Sequence, residues 1–242
     1  MIRGITFDVF HTLVQDAGAA AAHGRRKELI HRWCQSREVS ISRARVVTAY
    51  AAAEAERDSE KILYRHFAVA ELASSIVTRV GLTCDPHEIE GLAAQLNEAL
   101  LDGEFVVARG LETCLRTLRD LGLRLGLISN VGWQTGTFVR RTLVELGLWQ
   151  YFTPEACVFS DEVGYYKPHP AAFQASVAGL GLHPAEVLHV GDDYAADYLG
   201  ARRSALNATL MTTFRADHAP AGTPAVAGFA QLVDYIKAGE WR

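Results

Sequence analysis

A short apolar stretch opens the chain at residues 2–8, a long segment of helical period follows over residues 17–102, and from Phe105 onward short apolar runs alternate with helices. That order constrains the fold more than any other feature. Strands alternating with helices pair in parallel, because each crossover helix returns the chain over the sheet in a right-handed connection. A purely helical segment wedged behind the first strand cannot join such a sheet, and it predicts an insert with a small core of its own. The chain is therefore expected to be α/β, with a discontinuous core at residues 1–16 and 103–242 and a helical insert at residues 17–102.

Local signals place the elements. Leu29, Ile30 and Trp33 recur at helical spacing, as do Ile62, Leu63, Phe67 and Ala70, then Leu72, Ile76 and Val80. Gly81 marks a helix end, and Asp85 is placed as an N-cap with Pro86 at the first helical position. Such signals divide the insert into about four helices. In the core, helices are predicted at 111–121, 133–146, 171–180, 195–205 and 228–237, and strands at 123–129, 156–160, 187–191 and 208–212. Residues 216–227, which contain Pro and Gly, read as a disordered-looking loop.

Composition narrows the function classes. Twenty-four Lys and Arg stand against 28 Asp and Glu, a formal net charge of −4, whereas a nucleic-acid binder needs a basic excess to neutralise phosphates. No nucleic-acid partner is expected. At 49% hydrophobic residues the chain has the apolar content to build a core. No apolar run approaches the length of about 20 residues needed to span a bilayer, so no membrane partner is expected. Arg3 and Asp8 interrupt the first apolar stretch, which rules it out as a signal-peptide core. Cys34, Cys84, Cys114 and Cys157 are scattered without metal-ligand spacing, which suits reduced thiols and a cytoplasmic protein.

Four predicted strand ends carry polar residues: Asp8, Ser129-Asn130, Lys167 in the loop after the third, and Gly191-Asp192-Asp193. In a parallel sheet these ends converge on one crevice, which is where open α/β sheets bind ligands. A lone strand-end Asp often does no more than cap a turn. Four converging ends point instead to chemistry: a carboxylate nucleophile, a hydroxyl, an ammonium and an acidic pair suit attack on an electrophile with anionic oxygens. Asp8 with the acidic pair also suits a hard cation such as Mg2+.

These residues stand in four motifs whose order resembles the haloacid dehalogenase-like hydrolases. They are Phe7-Asp8-Val9-Phe10-His11-Thr12-Leu13-Val14, then Ile128-Ser129-Asn130, then Tyr166-Lys167-Pro168-His169-Pro170, then Val190-Gly191-Asp192-Asp193-Tyr194-Ala195-Ala196-Asp197 with Gly200-Ala201 following. The resemblance covers the whole chain and implies a Rossmann-type three-layer core with a parallel sheet, plus an inserted helical-bundle cap at 17–102. It implies Asp8 as nucleophile, Ser129 and Asn130 as the site holding a phosphoryl or carboxylate group, and Lys167 as the balancing cation. It further implies Mg2+ held by Asp8, Asp192 and the backbone carbonyl of Phe10, with Thr12, Asp193 and Asp197 in support. Ser129 also reads as a strand-end cap, and Asp193 or Asp197 as helix N-terminal acids.

Phe10 departs from the pattern. Phosphatases that resemble this chain carry there a second Asp that protonates the leaving alkoxide, a step typically worth about 10²–10⁴ in rate. A phenyl ring exchanges no proton. An aromatic residue here is similar to the 2-haloacid dehalogenases, whose halide needs none, yet the acidic fourth motif would repel an anionic substrate without a cation. His11 stands where the family usually has Gly, and it either supplies the proton, contacting substrate, or faces the cap. Three functions therefore remain: a Mg2+-dependent phosphatase of a small phosphorylated or anionic metabolite, a dehalogenase, and a catalytically weak binding module. The sequence sets no oligomeric state.

Overall fold

Six strands run parallel in one sheet, and the strand that opens the chain lies inside it rather than at an edge. In the computed structural model, which describes residues 1–100, 105–214, 219–239 and 241, these strands are β1 (Gly4–Phe7), β4 (Arg124–Ser129), β5 (Cys157–Phe159), β6 (Val187–Gly191), β7 (Asn207–Met211) and β8 (Ala225–Val226). Their order is β5-β4-β1-β6-β7-β8. Phe7 pairs with Leu127 on one side and Val190 on the other, so the chain leaves β1 in the gap where its two neighbours diverge. That gap is the switch point at which parallel sheets place ligands.

Period-two alternation builds the layers. Leu125, Leu127, Leu188 and Val190 enter one apolar cluster with α5 (Leu111–Asp120), α6 (Gly136–Glu145) and α10 (Phe229–Ala238). Ile128 and Val187 enter another with α8 (Pro170–Leu180) and α9 (Gly200–Arg203). The result is a helix–sheet–helix sandwich. A four-residue helix, α7 (Ser160–Val163), follows β5.

Four helices separate the first strand of this sheet from its other five: α1 (Ala19–Gln35), α2 (Arg43–Ile62), α3 (Val69–Arg79) and α4 (Pro86–Asn97). They share an apolar cluster around Ile30, Tyr50, Leu72, Ile76 and Leu96. Asp85 caps α4 as expected, accepting the Glu88 amide at 2.9 Å while Glu88 reaches back to the Asp85 amide. Gly81 takes φ +90° after α3. The expected junction at residues 102 and 103 lies outside the described residues.

Four expectations need correction, the first being the helical spacing read across Ile62, Leu63, Phe67 and Ala70, since α2 ends at Ile62 and α3 begins only at Val69. The helix expected from 133 begins at Gly136, because the Thr135 hydroxyl caps the Phe138 amide and leaves residues 131–134 as a loop. Part of the segment expected to be a loop forms edge strand β8, two residues paired with β7, while residues 215–218 lie outside the described set. Strands β2 (Val14–Asp16) and β3 (Phe105–Val107) pair antiparallel where no strand was expected. Two or three residues leave too little period to read.

The helical layer and the core meet at two places that matter for the crevice. The loop between α2 and α3 docks on the segment just before Lys167, with Tyr166 donating its amide to the Tyr64 carbonyl and His66 to that of Gly164. On the other side Trp133, from the loop after β4, leaves the core and joins the apolar cluster of α1–α4.

Candidate active site

Asp8 sits one residue past β1, its amide donated to the Val190 carbonyl at 2.9 Å. The chain then turns tightly, with the Leu13 and Val14 amides both reaching the Val9 carbonyl. His11 occupies the left-handed region in this turn, φ +60°, which favours glycine. That conformation explains why a glycine would be usual there. The Thr12 hydroxyl lies 3.4 Å from Asp8 Oδ2.

Lys167 is the centre of the charge arrangement. Its Nζ donates to Asp8 Oδ1 at 2.5 Å and to Asp197 Oδ1 at 2.6 Å, all three groups buried. Burial alone would pull the ammonium down, but Asp197 and Asp8 outweigh it and hold its pKa above the ordinary lysine value. For Asp197 burial pushes up, while Lys167 and His189 overcome it and keep the carboxylate ionised. Asp8 is the exception: burial pushes its pKa up to about 7 despite Lys167, with Asp197 and Asp192 adding to the rise.

His189 was not singled out by sequence, although it lies in β6 beside the acidic motif. Burial lowers its pKa and keeps the imidazole neutral. With Nε2 at 3.1 Å from Asp197 Oδ1 and Nδ1 at 2.9 Å from Thr6 Oγ1, the neutral ring donates to Asp197 and accepts from Thr6. His189 therefore fixes the carboxylate that fixes Lys167.

The acidic motif itself splits into two jobs. Asp193 caps the π-helical turn Tyr194–Leu199, its Oδ1 accepting from the Ala195 and Ala196 amides. Asp197, inside that turn, accepts the Asp193 amide. The turn comes so close to β6 that a Cβ on residue 191 would lie 2.2 Å from Asp197 Cγ, so Gly191 is a steric necessity. Gly191→Ala is expected to displace Asp197 and lower kcat/KM by about 10²-fold with the fold intact by circular dichroism, the scale of a misplaced catalytic group. Turnover within threefold of wild type would mean that this packing does not position the site.

The other residues marked by sequence fall in three places. Ser129 is buried at the end of β4, and its Oγ has no hydrogen-bond partner among the described residues. Asn130 grips the lysine segment, its Oδ1 accepting the Lys167 amide at 2.7 Å and its Nδ2 donating to the Lys167 carbonyl at 3.2 Å. His11 is half-exposed and lies 4.0 Å from Asp16. Carboxylate oxygens of Asp8, Asp192 and Asp197 come within 4.8 Å of one another. Since Asp197 already serves Lys167, His189 and the Asp193 amide, Asp8 and Asp192 are the carboxylates suited to a cation.

A cavity of about 200 Å³ adjoins these residues, with Phe10 and Asn130 on one side and His23, Arg26, Arg57 and Lys61 of α1 and α2 on the other. Of the arginines in the helical layer, Arg26 and Arg57 reach it. Arg25 instead donates to the Ala99 carbonyl, and Arg65 pairs with Glu60 and Glu71. Trp133 also lines it, which nothing in its local sequence announces.

With this geometry established, a family model described as haloacid dehalogenase-like hydrolase matches residues 2–204. The chain belongs to the haloacid dehalogenase-like hydrolase family. It is an enzyme, a hydrolase. The glyceraldehyde 3-phosphate phosphatase of Methanopyrus kandleri is 27% identical over 85% of this chain and 82% of its own length. The haloacid dehalogenase-like hydrolase domain-containing protein 3 of Xenopus laevis is 28% identical over 52% of the chain, and the match spans only 50% of that protein. The crystal structure of a 2-haloacid dehalogenase from Pseudomonas syringae pv. Tomato superposes with a TM-score of 0.68 at 20% identity, covering 99% of this chain and 100% of that one. At that identity the likeness concerns the fold of this hydrolase. No described helix is long and apolar enough to cross a membrane.

Proposed function

We propose that this hydrolase is a Mg2+-dependent phosphatase of small phosphorylated metabolites, with Asp8 as nucleophile and residues 17–102 as a cap over the site. One observation carries the reading: three buried carboxylates, Asp8, Asp192 and Asp197, come within 4.8 Å of one another, and two of them, Asp8 and Asp197, share the Lys167 ammonium. Their excess negative charge suits a hard dication and would repel an anionic substrate without one. The donor set fits Mg2+, held by Asp8, Asp192 and the Phe10 carbonyl. When bound, the ion would neutralise charge on the phosphoryl oxygens. The name of the Methanopyrus relative supports the same chemistry.

The chain's own residues then divide the work. A carboxylate oxygen of Asp8 attacks phosphorus, the bond to the leaving oxygen breaks, and water hydrolyses the resulting acyl phosphate. Lys167, kept charged by Asp197 and Asp8, offsets charge that develops on the transferring group. Ser129 Oγ is available to donate to a phosphoryl oxygen. Asn130 holds the lysine segment in register. No side chain at position 10 can protonate the leaving group, which favours substrates whose leaving oxygen is already a weak base.

The test is a matched panel. Turnover of an aryl phosphate that requires Mg2+ supports the proposal, and halide release from haloacetates without metal, in its absence, replaces it with the dehalogenase reading that Phe10 favours. Phe10→Asp supplies the absent acid. It is expected to raise kcat on a simple alkyl phosphate by about tenfold or more, a fraction of the 10²–10⁴ of an optimised acid. No gain would mean that another step or another chemistry governs the site.

A further inference from the structure

Beside the reacting centre lies a cation that the proposed phosphoryl chemistry does not use. Arg26 is 2% exposed, lines the 200 Å³ cavity and has a guanidinium Nη2 with no hydrogen-bond partner among the described residues. Its Nε donates to the Leu96 carbonyl at 2.9 Å, and its guanidinium carbon lies 5.0 Å from the Trp133 ring centroid. Burial pulls its pKa below the ordinary arginine value, with Tyr50 and Glu54 only partly offsetting the cost. A buried cation without a full set of partners is expensive.

Tyr50 hydrogen-bonds the guanidinium, while the nearby carboxylates are engaged by other groups. Glu54 is engaged by the Trp133 indole N–H at 3.1 Å, by Arg57 at 3.5 Å and by His23 at 3.6 Å. Asp58 lies 3.4 Å from both Arg57 and Lys61. Asp16 also lines the cavity, and no carboxylate among the described residues forms an ion pair with Arg26. Trp133 is held in place by Tyr50, stacked at 4.9 Å and 5°, so the guanidinium is fixed in position. Phe10 and Asn130 put the opposite side of the cavity beside Asp8 and Lys167.

We propose that Arg26 is a specificity-determining residue that receives a second anionic group of the substrate, so that the preferred substrates are small phosphate esters bearing a carboxylate at the end remote from the scissile bond. A guanidinium meets a carboxylate through paired N–H donors, and a carboxylate in the cavity would supply the counter-charge that the buried Arg26 lacks. The cavity equals about seven waters of liquid volume, at roughly 30 Å³ each, which matches a short-chain metabolite. The inference rests on the phosphatase reading for its choice of ester, and its test separates the two.

Binding of 3-phosphonopropionate and of propylphosphonate, equal in chain length but differing in the carboxylate, is measured by calorimetry with Mg2+ present, in wild type, Arg26→Lys and Arg26→Met. Kinetics on 3-phosphoglycerate and glycerol 3-phosphate run in parallel. Wild type is expected to favour the carboxylated member of each pair at least tenfold, and Arg26→Met to bring the ratio near one, with Arg26→Lys between. A structural strut would weaken both members equally and leave the ratio unchanged, which would overturn the proposal. If Arg26→Met does not fold, the wild-type ratio decides, and a preference below threefold overturns it. Selective binding without turnover of any phosphate ester would keep the anion site and remove the phosphatase reading.

Discussion

Asp8→Asn is expected to lower kcat/KM for an aryl phosphate by about 10³–10⁵-fold, the loss that follows removal of a nucleophile. The amide keeps the shape of the carboxylate but cannot form the acyl phosphate. The same change should leave the melting temperature unchanged or raise it. Burial lifts the Asp8 carboxyl to about 7, with Asp197 and Asp192 working in the same direction, so holding it ionised near neutral pH opposes folding. An asparagine removes that cost while Lys167 retains Asp197. Functional groups held against their own environment commonly show this trade of activity for stability. Residual activity within tenfold of wild type would end the case for Asp8 as nucleophile; a large fall in melting temperature would mean that Asp8 instead holds the fold.

The strand-end residues were legible because each rule that marks them is local. An apolar run closes on a polar residue, and a parallel sheet brings such ends together, so Asp8, Ser129, Asp192 and the loop lysine could be grouped before any coordinates. Elements with strong caps were legible for the same reason, as at Asp85-Pro86. What escaped depends on contacts between distant segments. Arg26 looks like any helix arginine until Trp133, from the far side of the chain, packs over it. His189 reads as one polar interruption of a buried strand, and only the turn that folds Asp197 back over β6 gives it its carboxylate partner. The division of the acidic motif was equally hidden. Asp193 and Asp197 are the same residue type four positions apart, yet one caps the turn and the other holds a lysine, because the close approach at Gly191 decides which carboxylate points inward.

Lys167→Met should cost more stability than any other single change at the site. Removing the ammonium leaves Asp8 and Asp197 buried without their shared counter-charge, and breaking a buried pair in this way typically costs about 3–5 kcal/mol. For a chain of 242 residues that corresponds to a fall of roughly 10 °C in melting temperature. Activity should fall by about 10²–10³-fold, as when a charge-stabilising group is lost. Magnesium gives the result its direction: a dication held by Asp8 and Asp192 replaces part of the lost charge, so the variant should lose less stability in Mg2+ than in chelator. An identical loss in both would argue against a cation at these carboxylates. Adding Asp197→Asn separates charge from geometry. The double variant removes one uncompensated carboxylate and should recover part of the melting temperature, a coupling expected of residues in direct contact. It should recover none of the activity, because no ammonium remains beside Asp8. Recovery of both would mean that Lys167 serves the fold alone.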